Sequence, residues 1–359
     1  MLMNMKELLA VANEHHFAVP AFNMSSNMIL KGVIEACEEK QAPVIIAIHP
    51  DELSFLTDDF MPAVREAAMR TSIPVVIHLD HGATFEQICH AIRVGFTSVM
   101  IDASLKSFED NIAITKKVIE VAHPLNVSVE AELGTIGTTG NGESEGTSKI
   151  IYTRPEDVKE FLERTGVDTL AIAIGTSHGI YPKDMTPKLR IDILQEIKKL
   201  VDIPLVLHGG SANPDEEISA AVKNGISKIN ISSDIKEAFY RKCRDVLNDP
   251  VIREPNAIYP PCIEAMKKVI YQKIDEAIMK EANAIQAGIN NFGSENIGSP
   301  ATDFSISGLN YKDTKYFGVD SHRNSYLINY ENSSSGVYRI VGEKSAMKAY
   351  MENWVGDKD

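Results

Sequence analysis

Eight short apolar runs alternate with segments of helical spacing, and this repetition constrains the fold more than any other feature of the sequence. The runs lie at residues 17–23, 42–49, 75–82, 97–102, 127–132, 169–175, 204–208 and 229–231. Buried parallel strands have near-continuous apolar sequences, and strand–helix alternation joins such strands into one sheet. Eight units therefore predict an α/β fold of the (β/α)8 TIM-barrel type. A doubly wound sheet is the alternative, but it would need a Gly-rich phosphate loop after an early strand.

The composition changes beyond Gln286, where helix-forming residues give way to Gly, Ser, Asn and Tyr. We therefore assign residues 1–286 to the barrel and residues 287–359 to a linker and a small α+β appendage of unknown role. Within the appendage, segments 325–330 and 336–341 are expected to be paired strands, and segment 343–354 a closing helix.

The formal net charge is −14 and no basic patch is present, so a nucleic-acid partner is not expected. No run approaches the ~20 apolar residues of a membrane-spanning helix, and the N-terminal residues lack the pattern of a signal peptide. The four cysteines are scattered and form no CxxC pair, as in cytosolic proteins. We expect a cytoplasmic protein without a membrane partner.

Every predicted strand ends in a polar or ionisable residue. These residues are Asn23, His49, Asp80 with His81, Asp102, Glu132, His178, His208 and Asn230. The carboxyl ends of barrel strands meet at one face, where catalytic groups of this fold are found. A structural Asp–His pair would explain one such strand end, but eight polar ends on one face favour an active site.

Three histidines of this set, His81, His178 and His208, are each followed by glycine, which lets a ligand or the backbone approach closely. Three neutral imidazoles with one open position form a typical catalytic zinc site, although three separately hydrogen-bonded histidines are the alternative. Asp102 and Glu132 are candidates to accept hydrogen bonds from the ligand histidines.

The ends of the last two strands predict a phosphate pocket, since the loops after strands 7 and 8 bind phosphate in many barrels. One loop contains Gly209, Gly210 and Ser211, and the other contains Asn230, Ile231, Ser232 and Ser233. Glycine amides, hydroxyl groups and the start of a helix all suit an anion. A phosphorylated small molecule is therefore a plausible partner despite the acidic composition.

Residues 134–148 form a polar loop with five glycines after the fifth strand. Loops of this length in compact domains are usually lids or disordered. Glu143 and Glu145 are its candidate catalytic residues.

The sequence resembles the class II, zinc-dependent ketose-bisphosphate aldolases over about residues 5–284. The segments that carry the resemblance are 78–82, 129–134, 173–179, 207–211 and 228–234. The resemblance implies a lyase that splits a ketose phosphate into dihydroxyacetone phosphate and an aldehyde. Asp80 would be the acid/base, His81, His178 and His208 the Zn²⁺ ligands, and Gly179 with the two loops the phosphate site. A monovalent cation and a homodimer or homotetramer are further implications.

The sequence departs from the pattern of this family in three places, which lie on the aldehyde side or beside the phosphate loop. Ala212 replaces the usual glycine, His49 is followed by two acids near the rim, and Asn256 stands where an arginine is expected. We therefore expect ketose 1-phosphates with an uncharged or differently charged far end to be better substrates than bisphosphates.

Three other functions are alternatives to this aldolase activity. A Schiff-base aldolase would need a lysine at a strand end, and Lys228 enters the eighth strand instead. A zinc hydrolase would need a His-x-His first strand, which is missing. A non-catalytic sugar-phosphate sensor is the third, but an intact Asp80 with three histidines speaks against it.

Overall fold

The computed structural model describes residues 1–139, 147, 149–182 and 187–274, and the backbone of four strand segments between 305 and 329. Ten strands belong to the first part of the chain: β1 (Val19–Asn23), β2 (Val44–Ile48), β3 (Val75–Gly82), β4 (Ser98–Ile101), β5 (Ser128–Leu133), β6 (Gly137–Thr138), β7 (Thr169–Ile172), β8 (Ser177–His178), β9 (Leu205–Leu207) and β10 (Ile226–Ile231). Eight of them close a parallel barrel in the order β1-β10-β9-β7-β5-β4-β3-β2. The predicted (β/α)8 barrel is confirmed.

Helices surround the barrel: α1 (Met5–Glu14), α2 (Asn27–Glu39), α3 (Pro50–Leu56), α4 (Met61–Arg70), α5 (Phe85–Val94), α6 (Phe108–Ala122), α7 (Pro155–Thr165), α8 (Ile191–Leu200), α9 (Asp215–Lys223), α10 (Ser233–Leu247) and α11 (Pro255–Gln272). Their starts follow local rules. Thr84, for example, accepts from Gln87 N while the Gln87 side chain accepts from Thr84 N, a capping box that begins α5 immediately after β3. No helix among the described residues is long and apolar enough to span a membrane.

The apolar core lies between the strands and the helices, and the barrel interior contains a polar group as well. His78, Glu130 and Lys228 have no exposed surface. Buried charges are tolerated when they are paired. Here Lys228 Nζ lies 2.8 Å from Glu130 Oε2, so the two charges compensate each other. The side chain of Lys228 is therefore buried inside the barrel and paired with Glu130, and this position does not favour a Schiff-base lysine.

The tail contains two antiparallel strand pairs, β11 (Ser305–Ile306) with β12 (Leu309–Asn310) and β13 (Thr314–Val319) with β14 (Ser325–Asn329). The strand predicted at 325–330 is present as β14, but its partner is β13, which we did not predict. The predicted strand at 336–341 and helix at 343–354 lie outside the described residues.

Candidate active site

Asp80 lies at the carboxyl end of β3 and is buried, 4% exposed. Its two oxygens accept hydrogen bonds from two side-chain amides, Asn23 Nδ2 at 2.9 Å and Asn230 Nδ2 at 2.8 Å. Burial opposes ionisation, but the charges of His81 and Lys228 outweigh it and hold the pKa of Asp80 well below the usual range. The result is a fixed, ionised carboxylate at the barrel mouth.

His81 follows Asp80 with a left-handed backbone, φ 48°, where the pairing of β3 with β4 shifts register between Leu79 and Gly82. Asp102 Oδ2 lies 2.8 Å from His81 Nδ1, which fixes the ring. The other ring nitrogen, Nε2, lies 4.0 Å from Asp80 Oδ1. The predicted contact between Asp102 and a candidate ligand histidine is therefore present.

His208 directly follows β9 and lies between two buried glutamates. Its Nε2 is 2.7 Å from Glu130 Oε1, and its Nδ1 is 3.4 Å from Glu132 Oε2. Burial and His81 disfavour the charged ring, but the two carboxylates outweigh them and raise the pKa of His208. Glu132 approaches a candidate ligand as predicted, whereas Glu130, which holds the ring directly, was missed by the sequence analysis.

His178 is placed differently from the prediction, which put it at the end of a barrel strand. The barrel strand β7 ends at Ile172, and His178 belongs to β8, a two-residue strand paired with β6 outside the barrel. Thr139 N donates to His178 O at 2.9 Å and strengthens this pairing. The loop after β5 therefore helps to hold His178, and backbone pairing outside the barrel could not be read from the strand pattern.

The three histidines converge. The centroid of the His81 ring lies 5.1 Å from that of His178 and 4.5 Å from that of His208, and one nitrogen from each ring falls within a 4.8 Å cluster. His81, Asp102 and Glu132 form a second cluster of the same size. The buried His208 Nδ1 and Glu132 Oε2 lie 3.4 Å apart and, among the described residues, form no hydrogen bond. Buried polar atoms without hydrogen bonds are costly, and a divalent metal such as Zn²⁺ would coordinate both. The donor set therefore fits the predicted metal.

The two predicted phosphate loops form one unit. Ser211 Oγ accepts from Ser232 N at 3.1 Å and from Asp234 N at 3.4 Å, which joins the loop after β9 to the start of α10. Gly209 has φ 62°, and a Cβ on Gly210 would lie 2.7 Å from the backbone oxygen of Asn230, so the backbone requires glycine at both positions. Ile231 of the second loop is buried, 1% exposed, and is not among the residues that line the cavity described next.

A cavity of about 190 Å³ unites most of the predicted site residues. Its lining consists of Asn23, His49, Asp51, Glu52, Asp80, His178, Gly179, Gly209, Ser211, Asn230, Ser232, Ser233 and Lys236. His49 lines it while beginning α3, where its Nδ1 accepts from Asp51 N at 3.1 Å. Glu143 and Glu145 lie outside the described residues.

The sequence analysis missed one basic residue of this cavity. Lys236 lies on α10, and its Nζ is 2.5 Å from Glu52 Oε1. Lys236 therefore places a cation beside one of the two acids that follow His49. The sequence signal was weak because Lys236 and Glu52 are 184 residues apart and lie on helices rather than strand ends.

Residues 3–283 match the family model described as fructose-bisphosphate aldolase class-II. The chain therefore belongs to the class II aldolases, which are aldehyde-lyases. This match covers most of the chain and leaves the tail beyond residue 283 outside it.

Two curated relatives and one solved structure illustrate the range of the family. The fructose-bisphosphate aldolase of Staphylococcus aureus (strain Mu50) is 41% identical over 281 residues, which are 77% of this chain and 96% of that protein. The 6-phospho-5-dehydro-2-deoxy-D-gluconate aldolase of Bacillus licheniformis is 39% identical over 279 residues, 76% of this chain and 94% of that protein. The crystal structure of the YdjI aldolase from Escherichia coli K12 covers 78% of this chain and 99% of its own, with 32% identity and a TM-score of 0.67.

Proposed function

We propose that this aldolase is zinc-dependent and cleaves a ketose 1-phosphate between C3 and C4, giving dihydroxyacetone phosphate and an aldehyde. The observation that carries the proposal is the position of Asp80. Two amides hold its ionised carboxylate in the cavity, 4.0 Å from a nitrogen of the three-histidine cluster. An acid/base group and a metal site thus face the same small space.

In cleavage, Asp80 accepts the proton of the C4 hydroxyl while the C3–C4 bond breaks. The electrons of that bond remain on the dihydroxyacetone phosphate fragment, and C4 becomes the aldehyde carbon. A proton from solvent is added at C3, and Asp80 gives up its own proton to solvent. The amides of Asn23 and Asn230 keep the carboxylate oriented and ionised so that it can act as a base. Positioned proton transfer of this kind contributes roughly 10²–10⁴-fold to the rate.

His81, His178 and His208 would hold Zn²⁺, which when bound supplies Lewis-acid polarisation of the ketose carbonyl. Asp102 and Glu130 orient two of these rings through their other nitrogens, at 2.8 and 2.7 Å. Glu132, with one oxygen close to His208 Nδ1, is a further candidate ligand. The monovalent cation implied by the family resemblance stays a prediction.

The phosphate on C1 would bind at Gly179, Gly209 to Ser211 and the start of α10. The tie between Ser211 and Ser232 fixes this pocket beside the histidines, so an anchored phosphate would bring C2 to the metal site. Relatives named for different sugars, a ketose bisphosphate and a deoxygluconate phosphate, support the phosphorylated end as the shared feature.

The test is a coupled assay of dihydroxyacetone phosphate release on a panel of ketose 1-phosphates. A chelator should abolish cleavage, and added Zn²⁺ or Co²⁺ should restore it. Bound metal should be lost on substitution of His208 by alanine, measured by elemental analysis. Full activity in metal-free protein would refute the zinc assignment.

A further inference from the structure

The ion pair between Glu52 and Lys236 bridges two helices at the cavity. Glu52 is in the first turn of α3 after β2, and Lys236 is in the first turn of α10 after β10. Since β1 lies between β2 and β10 in the barrel, the pair spans the mouth above β1. The side chains are 13% and 30% exposed, so the pair is largely but not completely withdrawn from solvent.

Glu52 is also held by the backbone, because its second oxygen accepts from His49 N at 3.2 Å. Both carboxylate oxygens therefore have fixed donors, while each oxygen retains a second lone-pair position. Lys236 has three donor positions, of which Glu52 uses one. The pair is electrically neutral, yet it can both accept and donate hydrogen bonds.

The location of the pair follows from the groups already placed. In the proposed function, the histidine cluster lies at C2 of the ketose, the loops at Ser211 and Ser232 bind the C1 phosphate, and Asp80 accepts the proton of the C4 hydroxyl. The lining residues that remain for carbons beyond C4 are His49, Asp51, Glu52 and Lys236.

We propose that the Glu52–Lys236 pair determines the specificity for the aldehyde half, selecting an uncharged, hydroxyl-bearing chain over a phosphorylated one. This inference rests on the proposed function. Sugar hydroxyls can both donate to Glu52 and accept from Lys236. A second phosphate would find the lysine already neutralised by Glu52, with the carboxylate of Asp51 on the same wall.

The experiment compares kcat/KM for fructose 1-phosphate and fructose 1,6-bisphosphate in the wild type and in Glu52→Gln. The wild type should prefer the 1-phosphate. Glu52→Gln frees the charge of Lys236 at almost unchanged volume, so the ratio should shift toward the bisphosphate by about tenfold or more. The activity on the 1-phosphate should fall less than the ratio changes.

Two further variants make the comparison specific. Lys236→Met leaves Glu52 without its cation and should shift the ratio the other way, against the bisphosphate. Glu39→Gln breaks a matched ion pair with Lys267, 2.6 Å long, between α2 and α11 outside the cavity, and should leave the ratio unchanged. Thermal unfolding of each variant identifies any that fails to fold.

A wild-type preference for the bisphosphate, or a ratio unchanged in both cavity variants, would overturn the inference. A third result would also overturn it: in Lys236→Met, the KM for dihydroxyacetone phosphate in the condensation direction rises while the ratio of kcat/KM for the two ketoses stays constant. Lys236 would then bind the C1 phosphate. A protein that cleaves neither ketose would contradict the proposed function instead. The dissociation constants of the two ketoses, measured by calorimetry on the same variants, would then decide the inference separately.

Discussion

Two non-glycine residues beside the active site, His81 and Ala212, have left-handed backbones, with φ of 48° and 56°. This conformation costs roughly 1–2 kcal/mol for a residue with a Cβ, and it persists only where the surroundings enforce it. The ring of His81 is held by Asp102, and Ala212 N donates to both oxygens of Asp234 at 3.1 Å. Among the described residues, two of the six non-glycine positions with this strained backbone therefore lie where ligands are expected to bind.

Ala212→Gly should stabilise the protein by about 0.5–1 kcal/mol, because glycine adopts a positive φ without strain but loses more entropy on folding. The midpoint of urea unfolding measures the change. Ala220→Gly, within α9, is the control and should cost about 1 kcal/mol. A destabilised Ala212→Gly variant would show that the strain is not relieved at this position.

Asp80→Ala should lower kcat by about 10²–10⁴-fold while the chain still folds and keeps its metal content, because the proton acceptor is removed but the metal ligands remain. Stability should fall by roughly 1–3 kcal/mol, because two buried amides lose their acceptor. Asp58→Ala is a control, since the Asp58 carboxylate contacts His90 at 2.7 Å on the outer surface. An unchanged kcat in Asp80→Ala would move the acid/base role to another residue, with Glu143 and Glu145 next to be tested.

Strand β3 supplies side chains to two layers of the barrel interior. His78 and Asp80 are two residues apart, so both face inward. Asp80 reaches the mouth, while His78 lies one layer deeper, with Nδ1 2.8 Å from Ser98 Oγ and Nε2 3.5 Å from Lys228 Nζ. The deeper layer supports the site through Glu130, which contacts both Lys228 and His208.

His78 should make folding stability depend on pH. Burial and the neighbouring Lys228 lower the pKa of His78 from 6.5 to about 3. The unfolded chain therefore binds the extra proton first, and stability present above pH 6.5 is lost as the pH falls toward 3. Between pH 6.5 and 4.5 this residue should contribute a slope of about 1 kcal/mol per pH unit.

The measurement compares unfolding free energies of the wild type and His78→Gln between pH 6.5 and 4.5. The pKa of Glu130 is lowered from 4.5 to about 2, chiefly by Lys228 against the effect of burial, so Glu130 also begins to lower the stability near pH 4.5. It does so in both proteins, and the difference between their profiles reports His78. The variant should have a flatter profile, whereas His90→Gln, on the outer helix α5, should follow the wild type. Parallel profiles for the wild type and His78→Gln would contradict a neutral, buried imidazole.

For the whole molecule, a truncated chain of residues 1–286 should fold and cleave substrate with a kcat within a few-fold of the full chain. The family match ends at residue 283, and the similarity to the Staphylococcus aureus relative covers 96% of that protein without most of the tail. The described site residues all precede residue 237. The coupled assay would measure the activity of the truncated chain. Size-exclusion chromatography with light scattering would show whether it stays soluble and whether it forms the expected homodimer or homotetramer. Insolubility or lost metal binding would show that the tail completes the barrel or a subunit contact.

The sequence by itself determined the barrel and the candidates at its mouth. The alternation of apolar runs with helical segments is a local property of the sequence, and it predicts the strands. Because all barrel strands end at the same face, Asp80, His81 and His208 could be assigned to one site. The role of the glycines in the loop after β9 could also be predicted from the sequence, because a tight loop requires backbone conformations that only glycine adopts easily.

Only the tertiary structure decided which groups pair inside and across the barrel. Glu130, Lys228 and His78 come from separate strands, and their contacts depend on register, which no single strand encodes. The placement of His178 on the β6–β8 pair and the contact between Glu52 and Lys236 depend in the same way on segments far apart in the chain. Local sequence specifies strands and turns, whereas closure of the barrel brings distant charges within hydrogen-bonding distance.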